Sequence, residues 1–186
     1  MKVIILDKAF KPLEFLSDYK KSTREIASNV GAESLFIGTM RDNNLKNKIL
    51  SMRLEYYPEM TQKHIEKICE SAKKRWPIVD VLVVHRVGEI LPGEAIVMVA
   101  VWAEHRRESY EANRYIMEDL KHNAPFWKRE MLENLEEMEN ATKMLQEKGV
   151  EIVRGIGKHG PGENLFIVFK DPDGNFFELI GPMKKL

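Results

Sequence analysis

The sequence predicts an α+β protein: one mixed domain followed by a small C-terminal α-β-β-β appendage. Three observations carry this. Apolar runs of strand length, such as VDVLVVHRVGEI and AIVMVAVWA, are interspersed with stretches of helical periodicity such as TQKHIEKICESAKKRW. The character of the chain changes after Glu130, where an acidic amphipathic helix is followed by three short strands. The 186 residues, 44% hydrophobic and 31% charged, suffice for one buried core with a modest addition.

Taken in order, MKVIILD opens as a strand, and residues 17–30, polar with scattered apolar positions, read as a short helix. GAESLFIGTMRD (31–42) is a strand ending at Arg41, DNNLKNK (42–48) a polar turn, and ILSMRLEYY (49–57) an alternating strand. Pro58 opens a helix that ends before Pro77, with Ile65, Ile68, Cys69, Ala72 and Trp76 on one face. Cys69, the single cysteine, reads as a small buried hydrophobe rather than a nucleophile, and no intrachain disulfide is possible. VDVLVVHRVGEI (79–90) is a buried strand turning at Leu91-Pro92-Gly93-Glu94, and its His85 and Arg86 structure a turn or interface. AIVMVAVWAEH is the next strand, and RRESYEANRYIMEDLK (106–121) a helix whose Ala112, Ile116 and Leu120 share a face. Pro125 prevents its continuation.

Residues 131–148 form the acidic helix, with Leu132, Leu135, Met138 and Leu145 in phase and Gly149 as C-cap. VEIVR, NLFIVFK and NFFELI follow as strands around the loop GIGKHGPG and the turn DPDG. This places a module boundary near residue 130, giving modules 1–130 and 131–186. A lone three-stranded sheet leaves edges unpaired, so the tail strands must pair either on the first domain or across a dimer.

Composition narrows the function. Lys+Arg and Asp+Glu both number 29, so nothing global points to nucleic acid, and any anion site is a local cluster. MKVIILDKAF lacks the features of a signal peptide, and AIVMVAVWA (95–103) is too short to span a bilayer. A cytoplasmic protein is expected. GIGKHGPG is not followed by the Gly-Lys-Ser/Thr of a phosphate-binding loop, and DPDG lacks the later ligands of a calcium loop.

Cations do gather at predicted element ends: Arg41 ends a strand, His105 and Arg106 mark a strand-to-helix junction, Lys121 ends that helix, and Lys128 follows Pro125. A helix N-terminus beside arginine suits an anion. In KHNAPFWKRE (121–130) a lysine desolvated beside Phe126 and Trp127 would lose proton affinity and serve as acid or base. The same residues also read as a solvated helix start and a surface charge pair, and spacing leaves both readings open.

From about Gly31 to Glu130 the chain resembles the large, catalytic subunit of molybdopterin synthase. The matching segments are FIGTMRDNN, LEYYPEMTQK, KKRWP, VVHRVGEILPGE, EHRRESYEA and DLKHNAPFWKRE, in the family's order and spacing. The resemblance implies the α/β hammerhead form of an α+β fold, and sulfur transfer to cyclic pyranopterin monophosphate, forming the molybdopterin dithiolene. The sulfur comes from the C-terminal thiocarboxylate of a ubiquitin-like small subunit, with a homodimer of large subunits inside a heterotetramer. No metal or redox cofactor is implied. Carried over by motif, Thr39, Met40 and Arg41 line the pterin pocket, and His105 and Arg106 bind the anionic substrate across the dimer interface. Lys121 is the main catalytic lysine, and Lys128 with Arg129 and Glu130 completes the pocket. Two features depart from the family: Ala103-Glu104 precedes His105, and the tryptophan-bearing segment expected after the WKRE motif is absent.

Residues 140–181 resemble the final part of a glyoxalase/extradiol-dioxygenase (vicinal oxygen chelate) module, through KHGPGENLFIVFKDPDGNFFEL. That resemblance implies a metal ligand at Glu178 and a site-proximal His159, but the module's opening strand and its histidine are missing, and Val168 stands where the dioxygenases carry a tyrosine. A structural appendage is therefore the expectation. A metal-dependent activity of the tail and a non-catalytic partner-binding fusion are the alternatives.

Overall fold

The computed structural model describes residues 1–23, 29–44, 47–132, 135–158, 164–170 and 174–182. Along the chain run β1 (Lys2–Leu6), α1 (Pro12–Ser22), β2 (Ala32–Thr39), β3 (Asn43–Asn44), β4 (Asn47–Tyr56) and α2 (Pro58–Arg75). There follow β5 (Ile78–Arg86), β6 (Gly88–Ile90), β7 (Ala95–Ala103), α3 (Arg106–Asn123) and β8 (Phe126–Leu132). The tail holds α4 (Leu135–Glu147), β9 (Ile152–Lys158), β10 (Asn164–Lys170) and β11 (Phe176–Pro182). Helices and strands are mixed without a repeating βαβ order, which is the expected α+β class.

The chain forms two compact units. One comprises Met1–Thr39, Tyr56–Val87 and Ala95–Pro125; the other comprises Met40–Glu55, Gly88–Glu94 and Phe126–Leu186. The first is built on a four-stranded sheet of order β1-β5-β7-β2, with β1 parallel to β5 and the other pairs antiparallel. Its central strands are apolar on both faces because both are covered. Leu82, Val84, Met98, Ala100 and Trp102 pack with Leu16 of α1, and Tyr19 stacks on Trp102 at 5.8 Å. The alternate strand positions belong to the opposite face, on which α3 packs over β7 and β2 with α2 beside it. The predicted face of α2 is buried: Ile65, Ile68, Cys69 and Ala72 are at most 3% exposed, and Trp76 is half-buried. Burial pushes the Cys69 thiol up to about 12, so it is an inert core group.

The second unit is a seven-stranded sheet of order β3-β4-β8-β11-β10-β9, with β6 paired to β4. Here the tail strands find their partner: β11 runs parallel to β8 with Phe177 opposite Lys128 and Glu178 opposite Arg129. Helix α4 covers β8 and β11, burying Met138, Ala141 and Leu145 with Leu132 and Leu179.

Several boundaries differ from expectation, each for a local reason. The first helix spans Pro12–Ser22 rather than 17–30: Pro12 starts it, where a missing N–H costs nothing, and Leu16 anchors it. Thr23 is its extended C-cap, and 24–28 lie outside the described residues. The single strand expected over 79–90 breaks at Val87, because Gly88 takes φ 77°, a left-handed conformation open to glycine. Residues 126–132 are a strand, and the acidic helix starts at Leu135, not 131. Pro125 holds Ala124 extended (ψ 131°), which launches a strand.

His85 lies within the first unit's sheet and is 4% exposed. Its Nδ1–H donates to the Arg86 carbonyl at 2.8 Å, since a carbonyl can only accept. Burial, partly opposed by that bond, lowers its pKa from 6.5 to about 4. The unfolded chain then binds a proton as pH falls through 6.5 while the native state does not, so stability is lost between those two values and is fully present above them. Urea unfolding should show about 2 kcal/mol less stability at pH 5 than at pH 7.5 from this group. A His85→Gln variant, which cannot charge, should lack that component; an identical pH profile would assign the acid sensitivity elsewhere.

Candidate functional site

Helix α3 carries Arg106 and Lys121, with His105 as its N-cap, and a buried polar network places it. Asn113 Nδ2 donates to the carbonyls of Ser34 and Val99, each at 3.1 Å. Ser34 Oγ donates to the Ser109 carbonyl at 2.8 Å, and Ser109 Oγ lies 2.8 Å from Ser34 Oγ and 3.0 Å from the Val101 carbonyl. All three side chains are buried, so misplacing the helix would leave desolvated polar groups unmatched.

At the N-terminus of α3, His105 is the cap residue in an extended conformation, with no side-chain cap bond. Gly31 sets this junction: its amide donates to the Ala103 carbonyl at 3.1 Å, and a Cβ there would sit 2.2 Å from the Glu104 carbonyl oxygen. Arg106 is exposed, while Arg107 turns back to Glu111 at 2.8 Å. Glu104, one of the departures noted above, has its carboxylate 3.8 Å from His105 Nε2, with both side chains largely exposed. Lys121 lies in the last turn of the same helix and is exposed. Fifteen residues at 1.5 Å each put Arg106 and Lys121 about 22 Å apart within one chain. A single copy therefore does not bring His105 and Arg106 together with Lys121.

Thr39 is exposed at the end of β2, after an irregularity that shifts the register between Gly38 and Thr39. Met40 is buried, and its backbone is clamped: its N–H donates to Glu94 O and its carbonyl accepts from Gly93 N–H, both at 2.9 Å. Gly93 takes φ 85° in this turn. Arg41 follows, exposed.

Lys128, Arg129 and Glu130 are consecutive on β8, so their side chains alternate between the faces of the second sheet. Lys128 pairs with buried Glu130 on one face, and its ammonium lies 4.8 Å from the centroid of Phe177. The aromatic beside this lysine is thus Phe177 of β11, and not its chain neighbour Trp127, which strand alternation turns to the other face. There Trp127 stacks on Phe176, centroids 5.4 Å apart and planes 14° from parallel. Arg129 shares that face: its Nε donates to Glu178 at 2.6 Å and its Nη1 lies 3.4 Å from Glu55. Glu178, 5% exposed, is held by a guanidinium where the tail resemblance implies a metal. Among the described residues, no three His, Cys, Asp or Glu side chains gather to hold a metal ion; His159 lies outside those residues. No helix among them is long and apolar enough to cross a membrane.

Two family models match the chain. The first, described as MoaE protein, covers residues 9–123. The chain belongs to the MoaE family. A second, the Glyoxalase/Bleomycin resistance protein/Dioxygenase superfamily, matches residues 110–179 and overlaps the MoaE match within α3. Among curated MoaE relatives, the molybdopterin synthase catalytic subunit of Vibrio cholerae is 44% identical over 104 residues, covering 56% of this chain and 69% of that protein. The same subunit of Escherichia coli K12 is 46% identical over 100 residues, covering 54% and 67%. Among solved structures, the molybdopterin synthase of Staphylococcus aureus superposes with a TM-score of 0.62 at 28% identity, covering 71% of this chain and 93% of that one. A Helicobacter pylori structure, a complex of subunits 1 and 2 of molybdopterin-converting factor, gives 0.59 at 26% identity, covering 69% and 83%. The MoaE match spans Thr39, Met40, Arg41, His105, Arg106 and Lys121; it stops short of Lys128, Arg129 and Glu130.

Reasoning from the sequence did not find Glu55 or Phe177, and it named no partner for Glu178, with a metal only as the alternative. Local sequence holds no signal for these contacts: Arg129 and Glu178 are 49 residues apart and meet only through parallel strand pairing.

Proposed function

We propose that this chain is the catalytic subunit of a cytoplasmic molybdopterin synthase, joined to a tail module beginning near residue 131. It takes sulfur from the C-terminal thiocarboxylate of a ubiquitin-like small subunit. It delivers that sulfur to cyclic pyranopterin monophosphate, forming the molybdopterin dithiolene. The observation that carries this reading is the MoaE match, within which Arg41, His105, Arg106 and Lys121 all fall. The Helicobacter pylori complex supports a small-subunit partner.

The chemistry suits these residue types. The substrate phosphate calls for guanidinium and ammonium groups, which Arg41, Arg106 and Lys128 supply through charge-assisted hydrogen bonds. Attack by the thiocarboxylate sulfur builds negative charge on the substrate, and loss of substrate oxygen requires a proton. Lys121, next to the partner's terminal glycine, meets both needs. By family motif, Thr39 and Met40 are assigned to pterin binding, and Arg129 and Glu130 to the support of Lys128. The length of α3 supports a shared site, in which His105 and Arg106 come from a second copy of the chain. That requirement is met by a homodimer of catalytic subunits with a small subunit at each end.

The test is conversion of cyclic pyranopterin monophosphate by the purified full chain with thiocarboxylated small subunit. Dithiolene product, read by mass spectrometry, is expected. Product no greater than with the small subunit alone would refute the reading.

A further inference from the structure

The tail is attached to the WKRE segment residue by residue. On β11 the consecutive residues Phe176, Phe177 and Glu178 contact Trp127, Lys128 and Arg129 of β8, each through a different interaction: a ring stack, a cation over a ring, and a charge-assisted hydrogen bond. The parallel register, with Phe177 opposite Lys128 and Glu178 opposite Arg129, keeps each pair on one face.

We propose that β11 of the tail is part of the working site, with Glu178 and Phe177 as positioning residues for Arg129 and Lys128. This rests on the sulfur-transfer reading above. The guanidinium is planar, so a carboxylate fixed on Nε at 2.6 Å, with Glu55 near Nη1, sets the plane and the directions of its remaining N–H groups. Glu178 is itself fixed: it is 5% exposed and lies in the middle of a strand paired on both sides. Lys128 is confined between the Glu130 carboxylate and the Phe177 ring, which limits the rotamers of an otherwise long and mobile side chain. An oxygen-chelate-like strand thus uses its acidic residue to orient an arginine in place of a metal.

The experiment is a double-mutant cycle in the full chain, with thiocarboxylated small subunit and cyclic pyranopterin monophosphate. The variants are Glu178→Gln, Arg129→Ala and the pair, with kcat, KM and Tm read for each. Glu178→Gln keeps the shape and one acceptor, so the sheet persists while the charged anchor is lost. It should lower kcat/KM roughly tenfold, mostly through KM, in the otherwise unaltered chain. In the Arg129→Ala background, the same change should alter kcat/KM by less than about twofold, because the group it orients is gone. Phe177→Leu, which keeps bulk without a ring face, should act through Lys128 and add to the Arg129→Ala effect.

Equal losses from Glu178→Gln in both backgrounds would make Glu178 merely structural and overturn the proposal, as would unchanged kcat/KM in the single variant. Both results leave the sulfur-transfer reading intact, since the unsubstituted chain turns over. No turnover by the unsubstituted chain would instead overturn that reading and this proposal with it.

Discussion

Lys121→Ala is expected to lower dithiolene formation by about 10²–10⁴-fold, the usual worth of a positioned acid or base. The melting temperature should barely move. Lys121 is exposed in the last turn of α3, where a surface truncation usually changes stability by no more than about 0.5 kcal/mol. The helix is held to the sheet further back, through Ser109, Asn113, Ile116 and Leu120, none of which the substitution touches. Lys121→Arg sharpens the result. It preserves positive charge, but a guanidinium does not release its proton near neutral pH, so substrate binding should survive while turnover stays low. Full turnover by Lys121→Ala would move proton transfer to another group. Full turnover by Lys121→Arg, with loss in Lys121→Ala, would leave this residue a purely electrostatic role.

Truncation after Leu132 should be the most damaging change to the second unit. It removes α4 and β9 to β11, and with them the parallel partner of β8 and the cover over Leu132, which is 1% exposed. The β8 amides that face β11 would then lack acceptors, and Trp127, Lys128 and Arg129 would lose Phe176, Phe177 and Glu178. Hydrogen exchange over residues 126–132 should become fast, and turnover should fall by more than about tenfold through misplacement of Lys128 and Arg129. If the shortened chain keeps those amides protected and turns over normally, the tail is an ornament on a self-sufficient domain.

Much of the fold was legible because its elements are set by local patterns. The apolar runs that became β5 and β7 are buried on both faces, as continuous hydrophobic strands should be. The face read for α2 is the buried face. Cys69 is the core group its spacing implied. Each of these follows from a period of two or 3.6 within a dozen residues. The candidate residues rest on resemblance to the family's motifs and not on any local period; of them, the MoaE match spans Thr39, Met40, Arg41, His105, Arg106 and Lys121.

The sheet order of the second unit was not legible. From sequence, residues 126–130 carry no element and 131–132 belong to the acidic helix; pairing with β11, some fifty positions later, makes 126–132 a strand. The break at Gly88 sends β5 and β6 to different sheets although residues 79–90 read as one strand.

By itself, then, the sequence determined the α+β class and the family, since both are written in residue type and near-neighbour spacing, and from motif resemblance it proposed the candidate cations. Tertiary structure alone decided which groups those cations meet. Lys128 faces Phe177 and Glu130, Arg129 is held by Glu178, and Arg106 stands a helix length from Lys121. The physical reason is that strand pairing joins residues far apart in sequence, and its alternation of faces assigns each side chain a partner that no local pattern names.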